Sequence, residues 1–281
     1  MNIAVMDIGS NSSRLDLFAV AADGSYEHLL FERVPTGLVG HVDGDNALSD
    51  EGVRLAASSL MALQIQALKT GLVDEWHVFA TASLRGRSNE REVVAALKER
   101  TGFEVDVIEG IEEAKLGYAS LQRRYRPQCA VMADVGGGST EVVVADGGEV
   151  LSVTSHPLGS RALSKRFIAD VWPNEEELEA IRCTIAAELV PYAKLSLSAA
   201  PVLFGIGGTA LALDAVLDAD KIDLPADLHT RVEHFCPDRL DTMAAGALIF
   251  QGLWESFKPQ CFVASDANPR EGYLLKRVLG K

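Results

Sequence analysis

Apolar runs of strand length recur along the chain, and two of them stand in the same setting. Residues 3–20 read IAVMDIGSNSSRLDLFAV and residues 130–147 read AVMADVGGGSTEVVVADG. Each has an apolar run ending in Asp, a turn of small residues and a second strand-like run, a pattern that predicts a β-hairpin. Gly-rich turns alone are common, so the duplication rests on the aligned positions. Asp7 aligns with Asp134, Gly9 with Gly136, Ser12 with Ser139, Ser13 with Thr140 and Arg14 with Glu141.

The elements after each hairpin repeat as well. In the first half, residues 26–36 read as a strand. Residues 49–70 read as a long amphipathic helix with Val53, Leu60, Leu63, Ile65 and Leu68 as its apolar positions, stopped by Gly71. A strand at 76–81 precedes a helix opened by Asn89, with Glu92 three residues on as a capping box, and closed at Gly102. A strand at 103–108 and a helix at 111–121 complete the set. In the second half, strands are predicted at 130–135, 141–145 and 150–156, helices at 160–169 and 175–195, a short strand at 202–206 running into Gly207-Gly208 and a helix, a helix at 238–256, a strand at 261–264 and a helix from Pro269. The order βββαβαβα thus occurs twice. That predicts an α/β protein of two lobes whose ligands sit at strand ends, in a cleft between the lobes. The polar, proline-bearing stretch 122–128 sets the expected boundary, with lobes of 1–124 and 125–281 and the terminal helix free to pack back on the first lobe.

Composition narrows the ligand. A chain of 281 residues is long enough for two cores, and 48% hydrophobic with 23% charged residues is ordinary for a globular protein. No apolar run reaches the roughly 18 residues of a membrane span, and no basic segment precedes the first apolar strand. The expected location is cytoplasmic, with no membrane partner. Cys129, Cys183, Cys236 and Cys261 are scattered, with no pair at metal-ligand spacing, so free buried thiols are expected rather than zinc or a disulfide framework. A net charge of −14 repels polyanions and speaks against nucleic acid as a partner. A phosphate ligand would need a locally basic cleft. Homodimer formation stays open.

The hairpin turns are the candidate chemistry. Backbone N–H groups converging in a small-residue turn make a concavity for phosphate oxygens, and an Asp at the end of each first strand adds a hard oxygen ligand for Mg²⁺. Gly207, Gly208 and Thr209 open a helix after a strand, a geometry that suits an anion and suits close helix packing equally well. Glu113 by itself reads as an acid favoured in the first turn of a helix by the macrodipole. Asp7 and Asp134 read equally as strand-end residues capping a turn. Arg85 and Arg87 share one loop, and His156 before Pro157 reads as structural.

Five residue blocks carry a resemblance that sharpens these readings. Met6-Asp7-Ile8-Gly9-Ser10-Asn11-Ser12 resembles the first phosphate loop of the exopolyphosphatase/guanosine pentaphosphate phosphatase (Ppx/GppA) family, within the superfamily of actin, heat-shock ATPases and sugar kinases. Thr81-Ala82-Ser83-Leu84-Arg85 is similar to its arginine loop, Ile108-Glu109-Gly110-Ile111-Glu112-Glu113-Ala114-Lys115-Leu116 to the block with its catalytic glutamate, Asp134-Val135-Gly136-Gly137-Gly138-Ser139-Thr140-Glu141 to its second loop, and Gly205-Ile206-Gly207-Gly208-Thr209 to its last. Pro157-Leu158-Gly159-Ser160 and Arg270-Glu271-Gly272 fit as well. The resemblance implies an actin-like duplicated fold and a phosphoanhydride hydrolase dependent on Mg²⁺ or Mn²⁺. It would release terminal phosphate from inorganic polyphosphate or a guanosine penta/tetraphosphate. Glu113 would be the base that orients water, Arg85 the cation beside the phosphates, and Asp7, Asp134 and Glu141 the metal-side carboxylates. Gly9, Ser10, Asn11, Ser12, Gly136, Gly137, Gly138, Ser139, Thr140, Gly207, Gly208 and Thr209 would bind phosphate.

The sequence also departs from the family. Lys115 stands where the family usually has arginine, Ser13 at a position commonly apolar, the segment 219–238 is short, and the helical C-terminal domain of the long members has no counterpart here. These departures imply a preference for short chains. Lys115 and the short segment also keep a weakly catalytic sensor of polyphosphate or alarmone in view, while an ATPase or kinase of the same superfamily would use the same hairpins for ATP.

Overall fold

The computed structural model describes residues 1–71, 73–218 and 220–281, residue 193 by its backbone alone. Ala219, where the shortened segment 219–238 opens, lies outside the described residues. The chain divides into two compact units, Met1–Leu116 with Pro269–Lys281, and Gly117–Asn268.

In the first unit, β1 (Asn2–Ile8), β2 (Ser12–Val20) and β3 (Tyr26–Pro35) form an antiparallel meander, while β4 (Glu75–Ala80) and β5 (Val105–Val107) add in parallel beyond β1. The sheet order is β3-β2-β1-β4-β5. Parallel neighbours require crossovers, and α1 (Asp50–Lys69) and α2 (Glu90–Thr101) supply them before α3 (Gly110–Tyr125) begins. In the second unit β6 (Cys129–Val135), β7 (Thr140–Asp146) and β8 (Glu149–His156) repeat the meander. After α4 (Ser160–Phe167) and α5 (Glu175–Leu189), β9 (Val202–Ile206) joins β6 in parallel. Then α6 (Gly207–Asp214), α7 (Leu228–Phe235) and α8 (Met243–Phe257) lead to β10 (Cys261–Ser265). Its order, β10-β9-β6-β7-β8, is the first sheet's order in the corresponding strands. The chain ends in α9 (Pro269–Tyr273) and a π-helical turn at Leu274–Val278. The duplicated α/β architecture expected from the pattern is therefore the observed one.

Each sheet is covered on both faces, which is why its central strands read as unbroken apolar runs. In the first unit, Ala4, Met6, Leu15 and Leu17 face α1 and α2, while Ile3, Val5, Phe18 and Phe79 face Leu116 of α3 and Tyr273 and Leu274 of the C-terminal segment. Tyr273 stacks on Phe79 with ring centroids 5.1 Å apart. In the second unit Val131, Val142, Val144 and Leu203 pack with Ile181 of α5 and Phe250 of α8.

Some expected details differ. Ile65 and Leu68 are 57% and 52% exposed, because the buried stripe of α1 runs through Val53, Ala56, Leu60, Leu63 and Ala67. At 100° per residue Ile65 stands about 140° away from Leu60. Asn89 does not cap α2: its amide side chain is spent on the backbone N–H and C=O of Leu48. A full capping box occurs instead at Asn174 and Glu177, opening α5. That helix stops at Leu189 because Pro191 lacks a backbone donor, and a 3₁₀ turn continues to Lys194. The helix expected from residue 238 begins at Met243, with a 3₁₀ turn at Pro237–Arg239 before it, and α7 is an element the sequence pattern does not predict. All four cysteines are free thiols, but only Cys236 is buried.

Candidate active site

The two hairpin turns close in the same way. The Gly9 N–H donates to the Ser12 carbonyl at 3.1 Å, and the Gly136 N–H to the Ser139 carbonyl at 2.9 Å. A Cβ at Gly9 would sit 2.9 Å from the Ser12 carbonyl, too close without a shift, and one at Gly136 3.1 Å from that of Ser139, a tight contact that favours glycine. Loop carbonyls are occupied in both. Those of Ser10 and Asn11 accept from Val39, Thr36 and Gly37, and those of Gly136 and Gly137 accept from Ser160 and Ala162 at the start of α4. Occupied lone pairs remove acceptors that would repel an incoming phosphate. In the first turn Ser10 and Ser12 are buried, and Ser12 Oγ has no hydrogen-bond partner among the described residues.

Glu113 and Arg85, distant in sequence, meet. Arg85 Nη1 donates to Glu113 Oε2 at 3.0 Å and to the Ile108 carbonyl at 3.0 Å, with the two side chains 17% and 11% exposed. The loop that presents Arg85 is held by its neighbours: the Arg85 N–H caps back to Thr81, Ser83 Oγ donates to the Ile8 carbonyl, and Arg87 ties to the carbonyls of Ser83 and Ala82 and to Asn46 Oδ1. Arg87 is thus a fastener inside the loop, and partial burial pushes its pKa below the usual guanidinium range. Glu113 sits in the first turn of α3, where the helix dipole favours a carboxylate. Lys115, two residues on, is exposed.

The second unit assembles Asp134, Glu141 and the Gly207-Gly208-Thr209 turn. Asp134 and Glu141 are directly opposed in the antiparallel register of β6 and β7, and cross-strand partners share a face of the sheet. Glu141 is 1% exposed and accepts from Ser155 Oγ at 2.7 Å. Gly207 has φ +80°, and a Cβ there would lie 2.6 Å from Asp134 Oδ1. At Gly208 a Cβ would collide with the guanidinium of Arg239. These two glycines therefore bring a helix N-terminus against an acid and a cation. Gly205 lies under Phe250 and Phe262, and the methyl of buried Thr209 lies against Gly246 of α8. His156 donates to or accepts from Tyr192 Oη (2.7 Å) and Thr154 Oγ1 (3.1 Å), with Glu188 at 3.3 Å, which fits its structural reading. Burial pushes the Tyr192 phenol up to about 12.

The donor set suits a hard divalent cation. Among the described residues no three His, Cys, Asp or Glu side chains converge into a ready-made cage. Mg²⁺ seldom needs one, since it keeps several waters and takes one or two carboxylates together with substrate phosphates. Asp7 Oδ1 is buried and, among the described residues, has no hydrogen-bond partner, an oxygen placed as a ligand would be.

Three residues of the site stand outside the sequence reading. Arg239 lies in a turn with no periodic signal. Asp16 is a buried acid in the middle of an apolar strand, and that anomaly alone could have marked it. Arg270, noted only as part of a fitting block, is 3% exposed and joins Asp16 and Asp7.

Residues 19–223 match the Ppx/GppA phosphatase family. Among solved structures, the chain is similar to an exopolyphosphatase from Cytophaga hutchinsonii at 20% identity and a TM-score of 0.84, covering 100% of this chain and 98% of that one, a likeness of fold. It is similar to the Ppx/GppA family member of Aquifex aeolicus at 25% identity and a TM-score of 0.76, with the same coverage. An exopolyphosphatase-like protein aligns at 20% identity and a TM-score of 0.79, over 99% of this chain and 100% of that one. With the family match spanning most of its length, the chain belongs to the Ppx/GppA phosphatase family.

Proposed function

We propose that the protein is a divalent-metal-dependent phosphoanhydride hydrolase that removes the terminal phosphate of short inorganic polyphosphate, with guanosine pentaphosphate a slower substrate. The observation that carries this reading is the part-buried Arg85–Glu113 pair, which sets a carboxylate beside a cation at one place in the first unit. Phosphoryl transfer to water needs little covalent help from the protein; it needs charge neutralisation and an oriented nucleophile. Glu113 orients and partly deprotonates the attacking water. Arg85, fixed by the Ile108 carbonyl, holds Glu113 in place and neutralises charge on the transferring group. The turns at Gly9–Ser12 and Gly136–Thr140 bind nonbridging oxygens through backbone N–H groups, and Arg239 beside Gly208 adds a cation. Asp134 and Glu141 in the second unit are the carboxylates that would hold Mg²⁺ or Mn²⁺, with Asp7 the corresponding carboxylate of the first unit, and the cation would supply further neutralisation of phosphate oxygens.

Preference for short chains rests on how the cations are used. Arg87 is engaged with its own loop, Arg161 pairs with Asp241 at 2.9 Å and Arg124 with Asp266 at 3.3 Å. On a protein of net charge −14, each additional phosphate must meet a local cation or be repelled over a screening length of about 8 Å. The test is phosphate release from polyphosphates of defined length, guanosine pentaphosphate and ATP at fixed ionic strength. The highest kcat/KM is expected for short polyphosphate. Values that rise steadily into polymers of hundreds of units refute the length preference, and ATP as the best substrate would assign the protein to the ATPases.

A further inference from the structure

Building on the hydrolase reading, we infer that Arg270 is a positioning residue: it clamps one oxygen of Asp7 so that the other is presented to the first phosphate loop. Arg270 Nη1 donates to Asp7 Oδ2 at 3.1 Å and Nε to Asp16 Oδ2 at 2.7 Å. The guanidinium is thus spread between two neighbouring strands, with Asp7 on β1 and Asp16 on β2. Its face lies 5.6 Å from the Phe31 ring, and Asp16 Oδ1 is taken by His28 Nε2 at 2.7 Å. Asp16 is therefore engaged on both oxygens. Asp7 is not, since Oδ1 is buried and has no hydrogen-bond partner among the described residues. A carboxylate half engaged by a rigid fork has one direction left for its remaining lone pairs, and a planar guanidinium fixes that direction in a way a lysine point charge does not.

The same segment also reaches the helix of the proposed base. At Gly272 a Cβ would overlap the Leu116 carbonyl, so only glycine lets α9 lie against α3 here. Arg277 Nε donates to Glu112 Oε1 at 2.7 Å, one residue before Glu113. The segment that carries Arg270 thus contacts β1 at Asp7 and α3 beside Glu113.

The test uses the full-length protein with short polyphosphate as substrate. Arg270→Lys keeps the charge and loses the fork. It is expected to lower kcat by roughly 10–100-fold with KM within about threefold of wild type, since misplacement by an ångström costs about 10²-fold. Asp16→Asn should act in the same direction and more weakly. The deciding measurement is the cycle with Asp7→Asn: if Arg270 acts through Asp7, Arg270→Lys adds no further loss of kcat to Asp7→Asn. The same two substitutions should fail to add in urea-unfolding midpoints, a readout that needs no substrate. A folded Arg270→Lys with kcat within about twofold of wild type, or a double variant whose loss is the product of the single losses, overturns the inference. Should Arg270→Lys not fold, the Asp16→Asn cycle decides by the same criterion. A wild-type protein that releases no phosphate from any polyphosphate would overturn the hydrolase reading alone, while the unfolding cycle still judges whether Arg270 and Asp7 act together.

Discussion

The two hairpins share a backbone and differ in charge. In the first, Asp7 is opposed across the strands by Arg14, whose Nη1 lies 3.9 Å from Asp7 Oδ2, and is held from below by Arg270. In the second, Asp134 is opposed by Glu141, and the place of Asp16 is taken by the buried valine Val143. In one turn the acid faces arginines; in the other it faces a second acid across the strands, beside a helix N-terminus that Arg239 also approaches. The turn is common to both copies, while the residue seven positions after the Asp differs, Arg14 in one and Glu141 in the other. Like charges opposed on a sheet are destabilising unless a cation joins them, so the metal requirement should map to the second hairpin and the water-orienting chemistry to the first unit.

The largest effect expected from this division is on turnover. Glu113→Gln should lower kcat by about 10²-fold or more with KM near wild type, because general-base help is felt in the transition state. Steady-state kinetics at saturating Mg²⁺ checks it, and full turnover would remove Glu113 from the role. Next comes metal demand: Asp134→Asn should raise the Mg²⁺ concentration for half-maximal activity by about 10-fold, and Asp7→Asn, its counterpart, by less. An equal shift for both would erase the contrast between the hairpins, and undiminished turnover in excess EDTA would remove the metal altogether.

Stability sharpens the same comparison. Gly207→Ala combines a left-handed backbone with a clash at Asp134, whereas Gly37→Ala, at φ +61° with open space around it, meets the backbone cost alone. Urea denaturation should show about 1 kcal/mol for Gly37→Ala and up to about 3 for Gly207→Ala. The smallest effect is expected at His28, which has no counterpart in the second unit's hairpin. The hydrogen bond to Asp16 raises the His28 pKa above its ordinary value of 6.5, against partial burial. Its contribution is then fully present below about pH 6.5 and is lost as pH rises through the higher folded value. The side chain is half exposed, so the effect should stay under about 1 kcal/mol. Relative to His28→Gln, the wild-type protein should lose that advantage as pH rises above about 6.5 and through the higher folded value in chemical-denaturation experiments.

Period and register were legible in the sequence, while side-chain partnerships were less so. The duplicated hairpin can be read because burial on both faces forces unbroken apolar strands and because the Gly, Ser and Asp positions are dictated by a tight turn. Glu113 and Arg85 stand out through their blocks, yet their 3.0 Å contact joins residues 28 positions apart and no local pattern encodes it. The face of α1 is misread at Ile65 and Leu68 because a helix rich in Ala hides its buried stripe among small residues. Asn89 looks like a cap because it stands at the right offset from Glu92, but the strand-like bridge at Leu48 competes for the same amide and wins. Arg270 is the most hidden, since nothing near it in sequence announces a buried cation.

That concealment has a consequence for biosynthesis. Asp7 and Arg270 are separated by 263 positions, with all of the second unit between them in the chain. On the ribosome the second unit can complete its core as soon as β10 has emerged. The first cannot cover one face of its sheet until Tyr273 and Leu274, which pack on Ile3, Val5 and Phe79, have emerged as well. The half of the protein that is made first is the half that finishes last, and until it does, Asp7 and Asp16 are two acids without the cation that joins them.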